Sequence, residues 1–306
     1  ELKNFQEQLA REREKAVVTL SSIGEGIIVC DPDGFVEYLN PVAEALTQYA
    51  RAEAVGRPLG EVLRIMDELS RRMVDSACFW SQAGCRFGPE DHHVVIGRDG
   101  TRIPVQETAS PIRDPAGQCL GAVIVLRDVS ASRQLARRLS YEASHDPLTG
   151  LPNRAEFNRL LQQAIDDARQ EGHRHALCYV DLDNFKPVND QSGHAAGDEL
   201  LRQLCARLKA SLRQEDVLGR LGGDEFGVLL PHCDLKAAQR IAEGLRAAAE
   251  SFRLCWDGVV HQVTTSIGVA PITADSGDFE AVRAAADEAC YQAKQAGRNR
   301  GRGWGG

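Results

Sequence analysis

Along the N-terminal part of the chain the spacing of apolar residues changes from helical to extended. Leu2, Phe5, Leu9 and Ala16 recur at three, four and seven residues among charged neighbours, which predicts an amphipathic helix over residues 1–20. As a coiled-coil seam this stretch is short. Ile23 to Val29 and Phe35 to Leu39 then form two apolar runs around Asp31-Pro32-Asp33-Gly34, a turn sequence between strands. Asn40-Pro41 reads as a helix cap with proline at the first helical position, where a missing N–H is harmless. Further on, Val94-Val95-Ile96 and Ile103/Val105 flank Arg98-Asp99-Gly100-Thr101 as a second hairpin, and Ala122 to Leu126 supplies another strand. Residues 131–146 hold no Gly or Pro and place Leu135, Leu139 and Ala143 four apart, which predicts a helix joining two halves.

Beyond Arg154 helical and strand periods alternate. Phe157, Leu160, Leu161, Ala164, Ile165 and Ala168 share one helical face, and Ala176 to Val180 is the apolar run of a buried strand. Leu200, Leu201, Leu204, Leu208 and Leu212 stripe a helix over 199–213. Val217 to Leu221 and Phe226 to Leu230 bracket Gly222-Gly223-Asp224-Glu225 as a hairpin. Residues 235–252 and 279–296 read as helices and 259–270 as one strand. This order predicts an α+β unit followed by an α/β unit whose central sheet is covered by helices.

The 306 residues, 43% hydrophobic and 26% charged, suffice for two separate cores. A formal net charge of -8 argues against a nucleic-acid partner, because neutralising phosphates along a duplex needs a basic face. The 9 cysteines contain no C-x-x-C pair, which removes zinc-ribbon and dithiol redox readings and fits a reducing cytoplasm. Cys178, inside an apolar run, reads as a small buried residue. No apolar run reaches the roughly 20 residues of a membrane helix, and no signal peptide opens the chain. A start at Glu1 and a Gly-rich end suggest a segment of a longer protein.

The strand, strand, short helices, three strands order, with Asp-Pro-Asp-Gly, Tyr38-Leu39-Asn40-Pro41 and Arg127-Asp128-Val129-Ser130, resembles a PAS sensor domain over residues 17–130. Such a domain serves either as a ligand sensor or as a dimerising spacer; its ligand is unknown. His92 and His93 are adjacent in a strand, so at most one faces the interior. Both read as solvated side chains rather than haem ligands. The helix over 131–146 either transmits motion between the domains or connects them passively.

In the second half, Asp181 directly follows a buried strand, with Asp183 two residues on, and Asp224 and Glu225 sit at a hairpin tip. If the two strands are neighbours, these carboxylates meet and suit Mg²⁺ shared with substrate phosphates. His145-Asp146-Pro147-Leu148-Thr149-Gly150-Leu151-Pro152-Asn153-Arg154, Asp181-Leu182-Asp183-Asn184-Phe185-Lys186, Asn189-Asp190, Gly193-His194, Gly197-Asp198, Arg220, Gly222-Gly223-Asp224-Glu225-Phe226, Ser266-Ile267-Gly268-Val269-Ala270 and Ala293-Lys294 through Gly297-Arg298-Asn299-Arg300 follow in order. Together they resemble the GGDEF family of diguanylate cyclases, with the domain over 147–302 and a tail over 303–306.

The resemblance implies condensation of two GTP into cyclic di-GMP. Asp181, the carbonyl of Leu182 and Asp224 would hold Mg²⁺ or Mn²⁺, and Asp224 or Glu225 would take the 3′-hydroxyl proton. Lys186 and the amides of Asn184 and Phe185 would cradle phosphates beside the Gly222-Gly223 backbone, with Lys294 and Arg298, four apart on the last helix, neutralising the β and γ groups. Asn189 and Asp198 would read the guanine edge, with His194 close to the nucleoside. Each has a plain alternative: Asp198 as cap of the 199–213 helix, Asn189 as a loop residue, Lys294 and Arg298 as a solvated helix end. Arg213-Gln214-Glu215-Asp216 matches the family's product-inhibition site, the alternative being an Arg213–Asp216 surface ion pair. Gly244, with Arg240 and Arg246 beside it, stands where some members add an arginine to that site, and Cys290 replaces a larger aliphatic residue. The family also implies a homodimer, since each domain holds one GTP, and some members carry a following EAL domain. Such a chain would otherwise act as a regulatory module that binds GTP or cyclic di-GMP without turnover.

Overall fold

The structure is a computed structural model that describes residues 24–74 and 92–304; the helix expected over residues 1–20 lies outside them. The chain divides into two compact units, Glu1–Arg137 and Arg138–Gly306.

The first unit contains strands β1 (Gly26–Cys30), β2 (Val36–Leu39), β3 (Ile65–Asp67), β4 (His93–Ile96), β5 (Arg102–Arg113) and β6 (Cys119–Asp128), with short helices α1 (Pro41–Thr47), α2 (Arg51–Ala54) and α3 (Leu59–Val62) after β2. They form one antiparallel sheet in the order β2-β1-β6-β5-β4-β3. The Asp31 carboxylate makes the first turn by accepting from the N–H groups of Asp33 and Phe35 at 3.0 and 2.8 Å. Asn40 caps α1 through Ala43 N–H at 2.9 Å and also accepts from Ile27 N–H at 2.8 Å, so one buried amide fastens helix to strand. Ile28, Leu39, Leu59, Ile65, Val95, Ile124 and Leu126 lie in the core over this sheet.

His93 departs from expectation. Strand alternation leaves His92 exposed but turns His93 inward, where it is 6% exposed and pairs with the Glu107 carboxylate of the adjacent strand. Two carboxylates face it, since Asp67 lies 3.9 Å from its Nε2. A buried imidazole with that company needs no solvent.

Helix α4 (Ser130–Ser144) has no buried side chain, and Leu135 and Leu139 are 57% and 56% exposed. The second unit then adds α5 (Arg154–Glu171), β7 (His175–Asp183), α6 (Phe185–Ala210), β8 (Val217–Gly222), β9 (Glu225–Leu230), α7 (Leu235–Ser251), β10 (Leu254–Trp256), β11 (Val259–His261), β12 (Thr264–Ile272), α8 (Phe279–Gln295) and β13 (Arg300–Gly303). The main sheet runs β13-β12-β7-β9-β8, antiparallel except for the β12–β13 pair. Helices α6 and α7 cover the face carrying Cys178, Val180 and Leu182; α5 and α8 cover the face carrying Leu177 and Tyr179.

Phe157 of α5 is seated on backbone. Gly219 and Gly227 oppose each other across β8–β9, and a Cβ on either would come within 2.6 and 2.4 Å of its ring. Burying such a ring contributes about 2–3 kcal/mol, and any side chain at either glycine would displace it. One strand expectation changes, and one strand has no counterpart in the sequence pattern. The 259–270 stretch is two strands, because β11 closes its own hairpin with β10 through Asp257 and Gly258, both at positive φ. Strand β13, Arg-Gly-Arg-Gly, has no apolar alternation and forms by pairing with β12.

Candidate catalytic and nucleotide site

Asp181 and Asp183 lie within the last residues of β7 rather than after it, and Asp181 pairs with Glu225 across the β7–β9 ladder. Gly223 and Asp224 form the tip between β8 and β9, with Gly222 and Gly223 at φ 151° and 52°, a path a Cβ would strain. A backbone hydrogen bond of 3.1 Å from Leu182 N–H to the Asp224 carbonyl holds the tip against the strand end. The carboxylates are coupled: burial pushes the Asp181 carboxyl above its ordinary range, against the pull of Lys294, and Asp224 and Asp183 add to the rise.

Lys294 Nζ, from α8, lies 2.6 Å from Asp181 Oδ2. Burial works against its ammonium, yet the contact with Asp181 outweighs that and raises its pKa, so it stays charged. Arg298 is not on this helix. The helix ends at Gln295, and Gly297, Arg298 and Asn299 follow at φ 111°, 59° and 48°, turning the chain into β13. Arg298 Nε stands 3.9 Å from Asp183 Oδ1, with its side chain 59% exposed.

Asn184, at φ 61°, starts α6 without a side-chain cap, and Phe185 and Lys186 follow in its first turn. Amides at that position have no carbonyl one turn earlier and point outward, as an anion site requires, and Pro187 has no N–H to add. Lys186 and His194 are exposed. Gly193, at φ 81° and ψ 167°, breaks α6 into two segments. Asn189 therefore sits on a helical turn rather than a loop, and Asp198 lies inside the second segment, past any capping position. Asn189 packs against Gly197, the residue before Asp198, where a Cβ would lie 1.9 Å from Asn189 Oδ1.

Three residues with no role assigned from sequence support the tip. Arg220 donates to the Gly223 carbonyl at 2.8 and 3.0 Å and to both oxygens of Asp146 at 3.1 and 3.2 Å. Arg154 donates to the Leu221 carbonyl at 2.6 Å and reaches Glu225 at 3.4 Å. Burial, with the negative charge of Glu225 beside it, raises the Tyr179 hydroxyl pKa and keeps it protonated. Arg154 and Arg220 belong to the ordered motifs; Tyr179 reads in the sequence as one more residue of an apolar run.

At the other end of β8, Asp216 accepts from the Arg213 N–H at 2.8 Å instead of pairing with its guanidinium, so the expected alternative of an Arg213–Asp216 ion pair does not form. The Arg213 side chain is 69% exposed, 3.7 Å from Glu215. On α7, Arg246 is tied to Glu243 and Glu250 and Arg240 is exposed. Cys290 is buried and donates to the Ser266 carbonyl at 3.3 Å; burial pushes its thiol up to about 12.

Among the described residues no three His, Cys, Asp or Glu side chains gather closely enough to hold a metal by themselves. Two carboxylates and a backbone carbonyl are hard oxygen donors of the kind that fit Mg²⁺, which completes its shell with water and substrate phosphates. Also among the described residues, no helix is long and apolar enough to cross a membrane.

Residues 143–300 match the family described as diguanylate cyclase, GGDEF domain, and residues 14–129 match the PAS fold. The chain is 40% identical over 300 residues to the probable diguanylate cyclase DgcE of Escherichia coli (strain K12), covering 98% of this chain and 27% of that protein. It is 32% identical over 297 residues to the cyclic di-GMP phosphodiesterase PdeB of Shewanella oneidensis, covering 95% and 33%. Its fold is similar to that of the coiled coil and GGDEF domain of DgcB from Caulobacter crescentus in complex with c-di-GMP. The TM-score is 0.54 and the identity 28%, over 57% of this chain and 93% of that one. The chain thus spans about a quarter to a third of the length of these two curated relatives, at 27% and 33%. With the acid pair, the glycine tip and the matched span in agreement, the chain belongs to the GGDEF diguanylate cyclase family, its GGDEF domain preceded by a PAS fold.

Proposed function

We propose that two copies of this chain, each holding one GTP, condense the pair into cyclic di-GMP and two pyrophosphates, in the cytoplasm and under control of the PAS unit. One observation carries the reading: the Leu182–Asp224 backbone bond brings two carboxylate-bearing segments together beside Lys294 and the first turn of α6. Asp198 accepts from the ring N–H and exocyclic amine of guanine, an arrangement adenine lacks, and Asn189 completes the contact with the base edge. The α6 amides and Lys186 hold phosphates, and Lys294 and Arg298 offset charge on the β and γ groups.

In each half-reaction the 3′-hydroxyl oxygen of one GTP bonds to the α-phosphorus of the other, the bond to the β-phosphate oxygen breaks, and pyrophosphate leaves. Asp224 takes the hydroxyl proton, because Glu225 is already engaged by Arg154. Mg²⁺ or Mn²⁺, held by Asp181, the Leu182 carbonyl and Asp224, supplies charge neutralisation along the triphosphate when bound. One domain binds one nucleotide, so the product requires a facing second copy. The exposed Arg213 fork, with Asp216 fixing its backbone, suits a returning cyclic dinucleotide that slows the enzyme.

Chromatography of GTP and Mg²⁺ incubated with the chain, beside Asp224→Asn, tests this. Cyclic product from the unmodified chain alone is expected. Bound but intact GTP in both samples would instead identify a regulatory module.

A further inference from the structure

Asp183 is the least exposed acid near the site, its side chain 0% exposed, and its oxygens are already taken. Oδ1 accepts from Ser266 Oγ at 2.8 Å, and Oδ2 accepts from Thr264 Oγ1 at 2.9 Å and from the Asn299 N–H at 3.1 Å. With Arg298 beside Oδ1, a carboxylate of about four acceptor sites has little left for a metal ion. Asn299 is equally committed. Its Nδ2 donates to Glu250 Oε1 at 2.7 Å, and its Oδ1 accepts from Arg246 Nη1 at 2.8 Å, both on α7. Two successive non-glycine residues, Arg298 and Asn299, are held at positive φ by these contacts, a conformation that costs free energy unless the surroundings fix it.

We infer that Asp183 and Asn299 are positioning residues for the triphosphate: they lock the turn after α8 so that Arg298 stands on the phosphate side of Lys294 and Asp181. The side-chain polar atoms of both are engaged within the protein, whereas Arg298 beside them projects an exposed guanidinium. The inference rests on the proposed reading of the GTP site, and it extends that site to α7, which faces no phosphate itself.

The variant that isolates the idea is Asn299→Gly. Glycine keeps the left-handed backbone and the N–H to Asp183 but removes the bonds to Glu250 and Arg246. In the full chain the KM for GTP is expected to rise about tenfold, the loss of one well-placed charged hydrogen bond, with kcat little changed. Arg298→Ala should raise KM to a similar extent, and the Asn299→Gly/Arg298→Ala pair should be no worse than Arg298→Ala alone. Equilibrium binding of GTP, measured alongside, gives the same comparison whether or not turnover occurs. Multiplying effects in the double variant, or an unchanged GTP affinity in Asn299→Gly with an unchanged melting temperature, would overturn the inference. Asp183→Asn is a second variant, expected to weaken GTP binding through the same turn. A chain that binds GTP with these ratios but forms no cyclic product would sink the cyclase reading and leave the positioning role standing. A chain that binds no GTP would end both.

Discussion

Arg220 joins Asp146 to the Gly223 carbonyl, so one guanidinium spans the turn after α4 and the hairpin tip that carries Asp224. The pair is 13% and 19% exposed, dry enough for the contact to matter. Asp146 is also fixed by Thr149, whose N–H and hydroxyl donate to Oδ1 at 2.9 and 2.7 Å. Arg220→Ala is expected to lower stability by about 2 kcal/mol, below the roughly 3–5 kcal/mol of a fully buried pair. A tip displaced by even about 1 Å should lower kcat near a hundredfold with little change in the KM for GTP. Steady-state kinetics and melting of the full chain check both, and a kcat loss no greater than the loss of folded protein would remove the positioning claim.

Lys294 and Arg298 make a contrasting pair of predictions. Lys294 stands against Asp181, Arg298 against Asp183. Lys294→Met removes the positive charge that opposes the upward push of burial on the Asp181 carboxyl, so that pKa rises further. The acid limb of the rate profile, where Asp181 must lose its proton, is expected to move to higher pH. Arg298→Met should weaken GTP binding and leave that limb in place. A pH–rate profile in which both variants shift alike would show that the two cations act as one pool of charge.

Much of this is legible in the sequence, and the exceptions have physical reasons. Helices α5, α7 and α8 and the β8–β9 hairpin carry long apolar periods that survive any packing. Strand β13 has none, because a parallel edge strand can be stabilised by its ladder rather than its side chains. The break at Gly193 is hidden because a single glycine in a polar stretch does not reveal its φ. Asp181, Asp224 and Lys294 stand out in the sequence because the chemistry proposed for them is in the side chain. The roles of Asp183 and Asn299 cannot, because they act through a buried acceptor and a backbone N–H, which residue type does not announce. His93 misleads for a related reason: its carboxylate partners lie on neighbouring strands, 14 residues away in the case of Glu107.

The acid sensitivity of the second unit should centre on His175. It is 4% exposed, and burial lowers its imidazole below the ordinary value, against the pull of Asp167, whose Oδ2 lies 2.9 Å from Nε2. A histidine depressed in the folded state binds its proton more readily when unfolded. Stability is therefore complete above about pH 6.5, falls as the pH drops below it, and levels off once the folded value is passed. Asp167, itself lowered despite burial by His173 and His175, contributes above the ordinary aspartate range and loses that only at more acid pH. The melting temperature should drop between pH 8 and pH 5, and His175→Gln should flatten that slope. Asp167→Asn should steepen it, since the imidazole then loses its counter-charge.

Gly197→Ala should strike the proposed guanine contact with a single methyl group. The new Cβ would stand 1.9 Å from Asn189 Oδ1 and 3.2 Å from Phe185 Cζ. Gly197 lies within the helix and the clashing atom is a side-chain end, so the amide of Asn189 is expected to swing away while Asp198, one residue on, keeps its place. Helix propensity favours alanine over glycine by about 1 kcal/mol, so the fold is expected to hold or to gain slightly. Affinity for GTP should fall about tenfold, the worth of one lost base hydrogen bond, and discrimination against ATP should fall with it. Asn189→Ala on top of Gly197→Ala should add nothing, because the contact is already gone. A Gly197→Ala chain that binds GTP as before and still rejects ATP would show that Asn189 does not read the base.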